Sequence, residues 1–255
     1  MSWKDKTCFI DLDGTMYRGD ELIDGAIEFI DYLIAQDIPY YFITNNAMRT
    51  HAQNREKMER MGFHGIRDEA FFTSAMASAA YAKRYLKGNK AYYIGQEGMK
   101  EALLEQGFII DEQEADHVFI GLDVHASYEQ YCKAFNLIQK GATLIGTNAD
   151  RRLPHGDGYR IGNGAIVAMF QYASESEGLI IGKPNEAMMK EALSFAHVDA
   201  SHCVMIGDNL ETDVAFGLRH GCTSVFVTSG VHSRLDCEQR CLHPDLIIDN
   251  LLELV

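Results

Sequence analysis

Short, nearly unbroken apolar runs that each break off into polar or glycine residues constrain this chain more than any other feature. Cys8-Phe9-Ile10 runs into Asp11-Leu12-Asp13-Gly14-Thr15, and Tyr40-Tyr41-Phe42-Ile43 runs into Thr44-Asn45-Asn46. Leu179-Ile180-Ile181 passes through Gly182 into Lys183-Pro184, and Cys203-Val204-Met205-Ile206 through Gly207 into Asp208-Asn209. Ser224-Val225-Phe226-Val227 ends at Thr228-Ser229-Gly230. Runs of this length without polar alternation predict strands buried on both faces, the pattern of a parallel sheet. Between them, apolar stripes predict helices: Ile27, Ile30, Leu33 and Ile34 share one face over Ala26–Ala35, and Met188, Met189, Ala192, Leu193 and Ala196 share one over Glu186–Ala196. Alternating strand and helix predicts an α/β fold with a doubly wound parallel sheet, in which ligands gather outside the carboxyl ends of the strands. The polar tips are therefore expected to meet at one site.

The first tip carries the strongest chemistry. Residues two apart on a strand point the same way, so Asp11 and Asp13 can face one small volume as the chain leaves the sheet. Two carboxylates that close repel and need a proton, a cation or distinct roles to coexist. A hard dication such as Mg²⁺, which prefers oxygen ligands, meets that need. A calcium loop of the EF-hand kind is excluded, because the position of its closing Glu is Leu22.

Charge and composition narrow the partners. A chain of 255 residues with 47% hydrophobic content can bury a real core. A formal net charge of -14 argues against nucleic acid or an anionic membrane as partner, since both demand a basic surface. No apolar stretch approaches the roughly 18 to 20 residues of a membrane span, and Met1 to Lys6 offers no apolar leader core, so a cytoplasmic location is expected. Cys8 and Cys203 fall inside apolar runs and read as small hydrophobes. Cys237, Cys241 and His243 match no common zinc spacing.

The strand-helix alternation is interrupted between Thr44 and Lys183, a gap of 139 positions (183 minus 44) that one crossover helix cannot fill. Lys90 to Gly95, Asp116 to Asp123 and Ala142 to Thr147 predict strands, with helices over Gln96 to Gln106 and Ser127 to Lys140. A second, smaller α/β unit is expected over residues 79–179, inserted into a discontinuous core of 1–78 plus 180–255. The glycine-rich stretch Gly156 to Gly164 fails the dinucleotide pattern, since Val167 stands where its third glycine would be; a turn leading into a helix over Ala165 to Ser174 is expected.

Asp11-Leu12-Asp13-Gly14-Thr15, Ile43-Thr44-Asn45-Asn46, Gly182-Lys183-Pro184 and Gly207-Asp208-Asn209-Leu210-Glu211-Thr212-Asp213 resemble, in order, the four motifs of the haloacid dehalogenase superfamily. The Thr-Asn-Asn form and the place and size of the insertion resemble its NagD-like phosphatases, p-nitrophenyl phosphatases among them, whose C2-type cap lies between the second and third motifs. The resemblance implies a Rossmann-like core with an inserted α/β cap, and a Mg²⁺-dependent phosphomonoesterase acting on a small phosphorylated metabolite. Oligomeric state is open, and caps of this type in similar proteins often supply homodimer contacts.

Roles follow from the chemistry and agree with the family. Asp11 is the expected nucleophile, forming an aspartyl-phosphate, and Asp13 the general acid and then base. Similar proteins bind Mg²⁺ through the side chains of Asp11 and Asp208 and the backbone carbonyl of Asp13. Asp213 and Asn209 then stand behind these ligands, Asp213 orienting Lys183 or a metal-bound water. Lys183, biased to an extended conformation by Pro184, supplies positive charge for phosphate, and Thr44 and Asn45 supply a hydroxyl and an amide. Thr147, Asn148 and Asp150 resemble a recurrent segment of such caps and are candidate substrate contacts, with turn formation the competing reading. Two rivals remain: a phosphomutase using the same aspartates, and a non-catalytic sensor of a phosphometabolite, which would have little need of Asp13.

Overall fold

Strands with no polar alternation do form the centre of a parallel sheet. The computed structural model describes residues 3–155 and 158–255. One six-stranded sheet runs Leu246–Ile248, Thr223–Val227, Cys203–Gly207, Thr7–Ile10, Tyr40–Thr44, Phe71–Thr73 in spatial order. Pairing from Leu246–Ile248 across to Tyr40–Thr44 is parallel throughout. Every residue of Thr7–Ile10 and Cys203–Gly207 is buried, as the unbroken hydrophobicity requires.

Helix Ala26–Ala35 packs on this sheet with a stripe rotated from the expected one. Ala26, Phe29, Ile30 and Leu33 are buried, whereas Ile34 is 40% exposed. The reason is the larger apolar surface of Phe29, whose ring is buried beside Trp3 at 6.2 Å between centroids. Of the second predicted stripe, Met188, Met189 and Ala192 are buried, while Leu193 and Ala196 are only partly so.

A second sheet of five strands runs Leu179–Ile180, Thr143–Gly146, His117–Ile120, Lys90–Ile94, Ile109–Ile110, again all parallel. Its core gathers Ile94, Val118, Ile120, Leu137, Leu144, Val167 and Phe170. Helices Glu97–Glu105 and Tyr128–Gln139 sit within the ranges their periodicity predicts, the latter opened by a Ser127–Gln130 capping box. Helix Asn163–Ser174 begins two residues before its expected start at Ala165. Arg152–His155 and Gly158–Ile161 pair antiparallel, so residues 158–161 of the stretch expected as a turn form a strand, while Gly156 and Asp157 lie outside the described residues.

One predicted strand is in the other sheet. Leu179–Ile180 was expected beside the aspartate-bearing strands, but it pairs with Thr143–Gly146, Leu179 opposite Ile145 and Ile180 opposite Gly146. An apolar run announces burial, not its neighbour, and Leu179 at 36% exposure occupies a sheet edge. The chain accordingly divides into a unit of residues 1–44, 51–72 and 192–255 and a unit of residues 45–50 and 73–191. Against the expected insertion of residues 79–179, the second unit begins earlier and ends later, so that it includes helix Ser74–Tyr85 and Lys183.

Candidate active site

In the first unit the chain order of strands reverses between Thr7–Ile10 and Cys203–Gly207, since the connections from Thr7–Ile10 run first to Tyr40–Thr44 and later to its other side. Such a switch point opens a crevice at the carboxyl ends of the strands. Asp11 follows one of the two strands and Asp208 the other, and Asp213 comes from the turn Leu210–Val214 behind them. All three are buried, at 8%, 1% and 1% exposure, and their carboxylate oxygens lie within 4.8 Å of one another.

Local structure explains how they are held. Asp208 accepts from Val231 N–H at 2.7 Å and from the Thr15 hydroxyl at 3.3 Å, and Asp213 accepts from Asn209 N–H at 3.1 Å. A Cβ on Gly230 would overlap the Asp208 carboxylate. One on Gly14, whose φ of +99 already demands glycine, would overlap it too. The Ser229 hydroxyl donates to Gly14 O at 2.8 Å, joining the two loops that wall in Asp208.

Three buried carboxylates this close repel strongly without an intervening cation or proton. The donor set is all oxygen, with neither thiolate nor imidazole in the group, which fits a hard dication such as Mg²⁺ rather than zinc. Asp213, expected behind the ligands, contributes an oxygen to the cluster itself. Asn209 acts locally: its side-chain oxygen accepts from Glu211 N–H at 2.9 Å and Thr212 N–H at 3.3 Å, capping the turn that delivers Asp213. Asp13 stands apart from the carboxylate cluster with an exposed side chain, and Thr44 closes its strand at 2% exposure.

The second unit holds another polar cluster, centred on Asn45. The Asn45 side-chain oxygen accepts from Lys183 N–H at 2.8 Å, while its amide donates to Lys183 O at 3.1 Å and to Asp150 Oδ1 at 3.2 Å. Both faces of the amide are thus spent on the Lys183 backbone and on Asp150. The Asn45 side chain, a candidate phosphate contact, holds the Lys183 backbone and Asp150 through these three bonds. The reason is tertiary, because Gly182 passes so close that a Cβ there would strike Asn45 Oδ1 and Thr147 O.

Asn148 donates to Asn45 O at 2.8 Å, and Ser74, which no sequence signal marked, donates to the same oxygen at 2.7 Å. The Thr147 hydroxyl accepts from Asn163 at 3.1 Å, and Gly182 N–H donates to Thr147 O at 2.8 Å. Thr147 and Asn148, at 0% and 5% exposure, brace the segment that leads to Lys183. Asp150 is half-buried, with one carboxylate oxygen on the Asn45 amide.

The sequence profile of the haloacid dehalogenase-like hydrolases matches residues 8–109, and a profile described as HAD-hydrolase-like matches residues 180–254. An acid sugar phosphatase of Staphylococcus aureus (strain MRSA252) is 36% identical over 251 residues, 98% of this chain and 96% of its own length. Among solved structures, a single-mutant thermostable NPPase from Geobacillus stearothermophilus superposes with a TM-score of 0.88 at 36% identity, over 97% of this chain and 96% of that one. NagD from E. coli K-12 superposes with a TM-score of 0.89 at 28% identity, over 98% and 97% of the two chains.

Proposed function

Because the chain belongs to the haloacid dehalogenase-like hydrolases and is a phosphatase of the NagD-like kind, we propose that it is a Mg²⁺-dependent phosphomonoesterase working through an aspartyl-phosphate on Asp11. The observation that carries this reading is the convergence of the buried Asp11, Asp208 and Asp213 carboxylates at the switch point of a parallel sheet. A Asp11 carboxylate oxygen bonds to phosphorus as the ester P–O bond breaks in line with it. Asp13 gives its proton to the departing alkoxide, then takes one from the water that attacks the aspartyl-phosphate, which releases inorganic phosphate and restores Asp11. Exposure of Asp13 suits a group that must meet both leaving group and water.

The side chains of Asp11 and Asp208 and the carbonyl of Asp13 would hold the ion, with Asp213 close enough to bind it directly or through water. When bound, Mg²⁺ neutralises the carboxylates and the phosphate dianion and orients them for in-line attack. Lys183, Thr44 and the Asn45 main chain serve the phosphate oxygens, and Asn45, Asn148 and Asp150 keep Lys183 in place. The second unit takes the part of the cap that selects the leaving group. Small phosphorylated metabolites are the substrate class, sugar phosphates first among them, since the relative at 36% identity is named an acid sugar phosphatase.

The test is phosphate release from an aryl phosphate and a panel of sugar phosphates. Turnover is expected with Mg²⁺ and its loss with EDTA, recovered on adding Mg²⁺ back. Undiminished turnover after complete chelation would reject the metal, and phosphoryl transfer to a second hydroxyl without free phosphate would replace hydrolysis by mutase chemistry.

A further inference from the structure

The loop that carries Asp13 closes on itself through Tyr17. Leu12 O accepts from Thr15 N–H at 3.3 Å and Met16 N–H at 2.9 Å, Gly14 N–H donates to Tyr17 O at 2.7 Å, and Asp13 bridges to Tyr17. Tyr17 then opens the hairpin formed by Tyr17–Arg18 and Glu21–Leu22. The Asp13 backbone is therefore held in part through Tyr17. One side of this loop is fastened by Ser229, whose hydroxyl donates to Gly14 O and whose carbonyl accepts from the Arg18 guanidinium.

On the ring of Tyr17 sits Lys57, with Nζ 3.4 Å from the ring centroid. Lys57 belongs to helix His51–Arg60, and the two residues are 6% and 1% exposed. Lysine is almost never this buried, because its ammonium must give up water. It shares its buried helix face with Asn54 and Met58. A charge placed at a desolvated aromatic face is attracted to it, more strongly than at an exposed one. Position 57 thus keeps a buried cation on the ring of the residue that pairs with the Asp13 loop.

We propose that Lys57 is a positioning residue for proton transfer: its ammonium, seated on the Tyr17 ring, holds the Asp13 loop in the geometry that donation to the leaving group needs. The proposal rests on the assignment of Asp13 as general acid. Small displacements of a reacting group cost rate rather than binding, so the effect belongs on kcat.

Lys57→Met keeps the stem and removes the charge. It is expected to lower kcat about tenfold, with KM for an aryl phosphate and inhibition by inorganic phosphate within twofold of the unaltered protein. Lys57→Arg, which keeps a cation, restores most of kcat. Tyr17→Leu, which removes the ring and leaves the lysine, reproduces the loss, and the double variant loses no more than either single one, as coupled residues do. Lys83→Met serves as control, since Lys83 lies over Phe108 at 5.7 Å in the second unit and should leave kcat unchanged. Wild-type kcat in Lys57→Met, a loss carried by KM, or additive losses in the double variant would each overturn the proposal, and Tyr17→Leu with Lys57→Arg decides it should Lys57→Met fail to fold. Asp13→Asn run in parallel separates the claims. Undiminished turnover there removes the general-acid reading on which the proposal rests, whereas an impaired Asp13→Asn beside a fully active Lys57→Met removes this one alone.

Discussion

Single atoms decide most at Asp208. Its carboxylate is enclosed by Gly14 and Gly230, neither of which leaves room for a Cβ, and one of its oxygens is fixed by Val231 N–H at 2.7 Å. If a dication binds there, it binds the folded state and not the unfolded one, and so stabilises by about 2.7 kcal/mol at a hundred times its Kd. Saturating Mg²⁺ should therefore raise the melting temperature of the protein, and Gly230→Ala should abolish that rise; an equal rise in the variant would place the ion elsewhere. At Asn45, whose amide is spent on Lys183 and Asp150, Asn45→Ala should raise KM for phosphate esters about tenfold through a loosened lysine, at roughly 1.4 kcal/mol. Steady-state kinetics of Asn45→Ala, Lys183→Ala and the double variant check this, since additive losses would mean that Asn45 meets substrate by itself. Asp11 and Asp208 were legible as strand-tip carboxylates because each closes an apolar run, and both are buried in one cluster with Asp213. The sequence could not reveal the partners of the Asn45 amide, which come from residues more than a hundred positions away.

Among the elements, the turn Leu210–Val214 leans on a titratable side chain. Asn209 caps it, and His232 Nδ1 accepts from Leu210 N–H at 3.2 Å, which requires an unprotonated Nδ1. Burial, and after it the Arg240 guanidinium, hold the His232 pKa below the ordinary 6.5. A depressed imidazole contributes stability that is fully present above 6.5 and is lost as pH falls through the folded value. The protection factor of Leu210 N–H, its exchange rate taken relative to the intrinsic rate at each pH, should therefore fall on acidification, and His232→Gln should flatten that response; identical pH dependence of protection in the two proteins would remove His232 from the turn. Strand positions were legible at this scale because parallel strands bury both faces, as Thr7–Ile10 and Cys203–Gly207 do. Pairing was not, since Leu179–Ile180 carries the same apolar signal at the edge of a different sheet. The stripe of Ala26–Ala35 shifted for a related reason: counting apolar positions gives Ile34 the same weight as Phe29, and packing does not.

Among the described residues, two parallel sheets use their crevices differently. In the second unit the order of strands also reverses, beside Lys90–Ile94, but the crevice there is filled by the chain itself. Gly98 N–H donates to Met48 O at 3.0 Å, a Cβ on Gly98 would collide with Arg49 O, and Ala47 lies against Gly121. The first unit instead places three buried carboxylates, Asp11, Asp208 and Asp213, at the equivalent point. That the chain handles phosphate was readable from the order of its motifs, while the extent of each unit depended on contacts that no single segment encodes. The most direct test of the central claim is to mix the protein with an aryl phosphate and Mg²⁺, quench in acid within one turnover, and map the phosphoryl group by peptide mass spectrometry. The account predicts an acyl-phosphate on the peptide containing Asp11, accumulating in Asp13→Asn and absent from Asp11→Asn. Phosphate release with the group found on another residue, or undiminished release by Asp11→Asn, would contradict it.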